Sequence, residues 1–484
     1  MARMAGLELT QCATPAARPG SFSFARGRSG AQRRRRCIIL GAMPETDRRL
    51  APPRRPAPRL APSRIVVCLA TALLVAAMAA CGNSNPTRPP VPTEATTAAA
   101  ATQTPAAPPT EPPASAPDIY PVPTLRLPQP ADPLVAVLSS TTAAALDKTI
   151  QAVRAQGAFP GISASVVFSD GSMWTGQAGS AVLSSKAPVK AETLFSIGSI
   201  SKTFVAALVL RLAEQGTIAL DDPLSKYVPT YPNASQITLR QLLDHRSGIR
   251  DVFTSPGMAN AILSNTSKIW TVDQVLARIG KPYFAPGHGY QYSNTNYILL
   301  GLAIQKATGR TIASLIRTSF LDPLGMKNTW FQPEEKVATT NFAHGYMNTA
   351  SKPRDVSGGQ RMLPYNSEAT VAGASGGFVS TAGDVARWAA ALYGGGVLDE
   401  AGLASMVDVS PTLPYKPAYP YGFGFERTAI AGRMAWGHRG HLDGFWSAMW
   451  YLPDSRITIV VLTNDEWTNV QTTTAQFVRA LLGD

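Results

Sequence analysis

Three strand-like runs follow one another near the C-terminal end: RMAWGHRGH (433–441), FWSAMWYL (445–452) and RITIVVLTN (456–464). Only Leu442-Asp443-Gly444 and Pro453-Asp454-Ser455 separate them, so the runs read as antiparallel neighbours joined by tight turns. A further pair, GISASVVFSDGSMWTGQAG (161–179), contains Asp170-Gly171, a strong hairpin signal. Helical patterns lie between the two groups. Ile200, Phe204, Leu208 and Leu212 form one apolar face closing at Gly216, and Thr238 with Gln241 forms a capping-box signature in TLRQLL. Further helical patterns cover 141–156, ending at Gly157, and regions near 295–308, 311–318, 382–393 and 468–482. The expected fold is α/β (α+β): one antiparallel sheet built from both ends of the body and flanked by helices, with an all-α region inserted.

A chain of 484 residues with 45% apolar content can bury a large core. Its formal charge of +13 would suit a nucleic-acid partner, but the charge is segregated. Residues 1–80 hold fourteen arginines against Glu8, Glu45 and Asp47, leaving 30 basic and 28 acidic residues in the remaining 404. No basic stripe is left for nucleic acid. Cys12, Cys37, Cys68 and Cys81 all precede the body, which excludes a disulfide or a cysteine-based zinc site after Cys81. The five histidines lack metal spacing: His438 and His441, three apart on a strand, face opposite sides. No metal and no cofactor are expected, and no glycine-rich phosphate loop is present.

Ile65 to Ala80 is a run of sixteen uncharged residues behind a basic flank, short for a membrane span and suited to a signal-peptide core. Residues 1–80 are therefore read as a leader, with 1–42 lying upstream of a start at Met43. Met78-Ala79-Ala80-Cys81 resembles a lipoprotein signal, although Met78 stands where Leu is usual, and it would make Cys81 the lipidated N-terminus. Residues 81–134 follow as a Pro/Thr/Ala tether, with 15 of the 40 prolines between Gly82 and Pro133. The 52 residues from Gly82 to Pro133 could reach at most about 150 Å. The expected localisation is outside the cytoplasmic membrane, anchored by lipid, with residues 135–484 as the functional domain.

Three constellations in that domain could carry chemistry. In FSIGSISKTF (195–204), Ser199 stands one helical turn before Lys202, which brings an amine to a hydroxyl without long-range folding. A basic Lys must be neutral, so burial has to lower its pKa. Alone, the pair reads as an ordinary exposed helix turn. In PGHGYQYSNTNYILLG (286–301), Tyr292 could shuttle a proton, while Asn294 could orient a substrate carbonyl or the Lys. In His438-Arg439-Gly440-His441, the glycine would permit close approach of a substrate backbone. There the N–H of His441 could join that of Ser199 as an oxyanion hole.

Taken in this order, and with LDDPLSKYVP (220–229), ITLRQLLDHRSGI (237–249), PLGMKNTWF (323–331) and GGFVSTAGDVARW (376–388), these motifs resemble the serine β-lactamase and penicillin-binding superfamily. The similarity is to its class C β-lactamase, D-alanyl-D-alanine carboxypeptidase and esterase branch, and it spans about 135–484. It implies a β-lactamase/transpeptidase-like fold with the cleft between a sheet domain and an all-α domain. It also implies acylation of Ser199, proton handling by Lys202 and Tyr292, and substrate binding by Asn294, His438, Arg439 and Gly440. The β-lactamases of this branch have Lys-Thr-Gly where this chain has His438-Arg439-Gly440. A neutral imidazole lacks the fixed charge that Lys offers a carboxylate. Arg439 could clamp a substrate carboxylate or project away from the cleft. The expected activity is a serine hydrolase for an ester or amide, with a small-molecule or peptidoglycan-type substrate and β-lactams as the less favoured case. The alternative is a non-catalytic envelope binding protein.

Overall fold

The computed structural model describes residues 138–157, 159–348, 352–409 and 420–483. The leader, Cys81 and the tether lie outside the described residues. A seven-stranded antiparallel sheet joins both ends of this region: β1 (Gly161–Val167), β2 (Met173–Val182), β3 (Ala187–Pro188), β4 (Glu426–Ile430), β5 (Arg433–Leu442), β6 (Phe445–Leu452) and β7 (Ile457–Thr463). Their order is β3-β2-β1-β7-β6-β5-β4. The N- and C-terminal segments meet at its centre, with Ile162 opposite Thr463 and Val167 opposite Thr458.

Helices cover both faces. On the outer face, α1 (Ser140–Gly157) and the C-terminal helix Val470–Leu482 bring Ile150, Val153, Phe477 and Val478 against Ile162, Ala164, Val166, Ile459 and Val461. The alternate residues Met449, Tyr451, Val460 and Leu462 join a second core with Trp388 and Leu392 of helix Ala382–Tyr393. Burial on both sides explains why β7 reads as an unbroken apolar run rather than an alternating one.

The inserted region includes α2 (Ser201–Glu214), the short helix Leu239–Leu243 and α3 (Asn294–Thr308). Thr238 and Gln241 form the capping box, with reciprocal bonds of 3.2 and 3.1 Å. Phe204 of α2 stacks on Trp388 with centroids 4.2 Å apart, coupling the helical region to the inner face of the sheet. No helix among the described residues is long and apolar enough to cross a membrane.

One of the two Asp-Gly turns is wider than its sequence suggests, and the other is as tight as expected. Asp170-Gly171 lies in a wider connection, because Val167 pairs with Met173 and the Asp170 carboxylate accepts from the Ser172 amide and hydroxyl at 2.9 and 2.7 Å. The two-residue hairpin turn is Asp443-Gly444, closed by Leu442 opposite Phe445, with Gly444 at φ 76°. The edge strands β3 and β4 carry no clear pattern in the sequence. Pro188 suits an edge, where its missing N–H breaks no ladder.

Candidate active site

Ser199 lies in a 3₁₀ turn, Gly198–Ile200, and the α-helix begins only at Ser201, so the turn that brings Ser199 to Lys202 is not one of a regular α-helix. The cause is local. Gly198 takes φ 48°, and the Ser201 hydroxyl donates back to the Gly198 carbonyl at 2.6 Å while accepting the Phe378 amide at 3.3 Å. Ile197 and Ile200 are fully buried on either side, whereas Ser199 remains half-exposed. The turn is pinned by its neighbours and presents one hydroxyl to the cleft.

Lys202 is completely buried, and its ammonium donates to Ser199 Oγ at 2.9 Å, Asn294 Oδ1 at 2.7 Å and the Ser375 carbonyl at 2.8 Å. Burial brings its pKa down to about 7, against the opposing attraction of Asp251 and Glu426. Near neutral pH a large fraction is therefore uncharged. In that state the two fixed acceptors, Asn294 and Ser375, take its two remaining protons. The lone pair is left facing Ser199.

Tyr292 donates its hydroxyl proton to Ser199 Oγ at 2.8 Å. Burial raises its pKa well above the ordinary phenol value, outweighing that hydrogen bond, so the phenol stays protonated. With one lone pair of Ser199 occupied by Tyr292, the proton of Ser199 is free to go to Lys202. Asn294 opens α3 beside Tyr292, and its main-chain and side-chain N–H groups donate to Asp251 Oδ2 at 2.5 and 2.8 Å. That double contact sets the amide with its oxygen toward Lys202. Of the two roles left open for Asn294, orienting the Lys is the one these contacts serve.

The sheet side of the cleft is β5. His438 is buried, its Nδ1 donating to the Arg439 carbonyl, which leaves Nε2 to accept the Tyr421 hydroxyl at 3.0 Å. Burial takes its pKa down to about 4 despite the nearby Glu426, so the ring is neutral. Arg439 points neither wholly away nor free into the cleft: it lines the cavity while its Nε donates to Glu426 at 3.0 Å. Gly440 corrects an expectation. A β carbon there would stand 2.0 Å from the Ile197 carbonyl oxygen and 2.3 Å from Ser447 Oγ, so the space is used by the chain's own backbone rather than a substrate's. The same close approach brings the His441 amide against the nucleophile turn, with His441 N 2.6 Å from a β carbon placed on Gly198.

These residues surround a cavity of about 430 Å³ that Ser199, Tyr292, Asn294, His438, Arg439, Gly440 and His441 all line. Lys202 lies behind its wall. Sequence reasoning missed Asp251, Glu426, the Ser375 carbonyl and the ring shell of His245, Tyr297 and Tyr421. His245 is buried at φ 61°, its centroid 4.4 Å from Tyr292 and 4.7 Å from Tyr421, and its Nδ1 accepts the Ser293 amide at 3.2 Å. Asp251 stands two residues past the motif ending at Ile249, so extending that motif would have reached it. A main-chain acceptor such as Ser375 leaves no side-chain signal. Among the described residues no cluster of His, Cys, Asp and Glu could hold a metal.

A family model described as Beta-lactamase matches residues 146–483. A penicillin-binding protein of Bacillus subtilis is 31% identical over 306 residues, covering 60% of this chain and 64% of that protein. A D-aminopeptidase of Cereibacter sphaeroides is 27% identical over 325 residues, covering 66% and 60%. The chain thus spans about three fifths of the length of these curated relatives. Among solved structures, the D-amino acid amidase of Ochrobactrum anthropi is similar at TM-score 0.63 and 27% identity, covering 70% of this chain and 98% of that one. A D-stereospecific amidohydrolase from Streptomyces gives TM-score 0.61 at 27% identity, covering 71% and 99%.

Proposed function

The chain belongs to the Beta-lactamase family, and on that premise we propose that it is an exported serine hydrolase acylated at Ser199, with amides of D-amino acids as its substrate class. One observation carries the reading: a wholly buried Lys202, brought to a pKa of about 7, sits 2.9 Å from a cleft-facing hydroxyl. A neutral amine at that distance is a general base.

Lys202 takes the Ser199 proton as Oγ attacks the acyl carbon. The oxyanion that forms faces the N–H groups of Ser199 and His441. Tyr292 then gives its proton to the departing amine and is resupplied by Lys202, so the proton lost by Ser199 leaves on the product. A water deprotonated by the same Tyr-Lys network cleaves the acyl-enzyme and restores the Ser199 hydroxyl. No dedicated Glu is needed. D-amino-acid amides are favoured because relatives of two kinds are named for that chemistry. A β-lactam is disfavoured because neutral His438 stands where a Lys would hold its carboxylate.

A fluorophosphonate probe should add one mass to the peptide holding Ser199, and Ser199→Ala should abolish the adduct. Absence of labelling on folded protein would sink the acyl-enzyme reading. Comparing a D-amino-acid amide, a D-Ala-D-Ala peptide, a p-nitrophenyl ester and nitrocefin then ranks the substrates. Export and lipidation rest on the apolar run Ile65 to Ala80 and the Cys81 that follows it. Cys81→Ala should release the protein from membranes, whereas retention would point to an uncleaved apolar anchor.

A further inference from the structure

We infer that the end of the cleft at the Asp443-Gly444 turn is a binding site for an ammonium group, taken between the carboxyls of Glu368 and Asp443. The inference rests on the acyl-enzyme reading and narrows its substrate class to amides and peptides of D-amino acids with an unblocked amino group. Both carboxyls line the same cavity as Ser199.

Glu368 lies on the helix Asn366–Ala372, 94% buried, and its Oε2 has no hydrogen-bond partner within bonding geometry among the described residues, although the nearby Tyr365 hydroxyl acts on the carboxyl. Its Oε1 accepts the Asp443 amide at 3.4 Å. The nearby Tyr365 hydroxyl has one proton, and it goes to Asp443 Oδ2 at 2.6 Å. A buried carboxyl oxygen that borders an open cavity and receives no protein donor can take one from a ligand. An ammonium brings three.

The position suits a substrate already held at Ser199. Ala372, one turn beyond Glu368, and Leu442, next to Asp443, converge on Gly376. A β carbon there would stand 3.2 Å from Ala372 Cβ, 3.8 Å from Leu442 Cδ1 and 3.7 Å from the Gly198 carbonyl carbon. The carboxyl pair is thus one helical turn, roughly 5 Å, from the contact beside the nucleophile.

The charges point the same way. Burial, then the repulsion of Asp443, raises the Glu368 carboxyl well above its ordinary range, and Glu466 adds to it. An incoming cation removes that cost by letting the pair ionise. Of the basic side chains among the described residues that act on Asp443, His441 is hydrogen-bonded to Glu466 at 2.7 Å, and Arg354 is the other. A substrate that placed a carboxylate here would meet two acids.

The test compares D-alanine p-nitroanilide with its N-acetyl counterpart on the full chain. The free amine should be preferred at least tenfold in kcat/KM, and Glu368→Gln should collapse that preference at least tenfold, chiefly through KM. Asp443→Asn should act in the same direction. D-alaninamide should also slow fluorophosphonate labelling of Ser199 more than N-acetyl-D-alaninamide does, a readout that needs no turnover. Equal rates on both substrates, a preference for the acetylated one, or an unchanged preference in both variants would overturn the site. If Ser199 is labelled while the preference is absent, only this inference falls; if Ser199 is not labelled, the acyl-enzyme reading falls with it.

Discussion

Lys202 and Glu368 are both ionisable and both buried beside the same cleft, yet burial has left them in opposite conditions. Every N–H of Lys202 has an acceptor within 2.9 Å, while Glu368 keeps one oxygen without a partner among the described residues. Both groups are pushed toward neutrality by desolvation. The difference lies in what each can still do. A base whose partners are all internal is preorganised to move a proton, and a carboxyl that lacks a donor is prepared to receive a ligand.

Removing the amine breaks the comparison most directly. Lys202→Met should lower kcat/KM on a p-nitrophenyl ester by a factor on the order of 10³, the scale of a lost general base. A loss below tenfold would show that Lys202 is only structural. Asp251→Asn should cost roughly 10- to 100-fold, the scale of a misplaced catalytic group, because Asn294 loses the acceptor that sets its amide.

The pH profile sharpens the same contrast. Lys202 acts when neutral, so kcat/KM should rise with pH through about 7. The Asp251 carboxylate favours the charged amine, so Asp251→Asn should move this acid limb to lower pH. Gly440→Ala should destabilise the fold by about 1–3 kcal/mol through overpacking against Ile197, read as a lower denaturant midpoint. Arg439→Gln should give the smallest effect. It removes the partner of Glu426, whose freed charge then favours protonated Lys202, and the acid limb should move upward by less than about one pH unit. A downward shift would contradict the assignment of Glu426 as a field on Lys202.

The antiparallel sheet, its helical insertion and the capping box at Thr238 were legible because each is written in spacings of two to four residues. The Asp170-Gly171 turn was read as too tight because Asp170 uses its carboxylate on Ser172, an option that the dipeptide does not display. Ser199, Lys202, Tyr292, Asn294 and the His438–His441 segment were all selected from motifs, and the structure brings them around one cleft. Gly440 was read for the wrong neighbour: a missing β carbon announces a close approach but does not name what approaches.

Local pattern therefore decided which residues stand one turn apart and which runs pair as strands, since backbone hydrogen bonding and side-chain alternation act over short range. The charge state of Lys202 and the surroundings of Glu368 were decided only in three dimensions. Lys202 meets Asn294 from 92 residues away and Ser375 from 173, and Glu368 meets Asp443 from 75. Desolvation and electrostatic fields sum over whatever the fold packs nearby, and no local spacing records that sum.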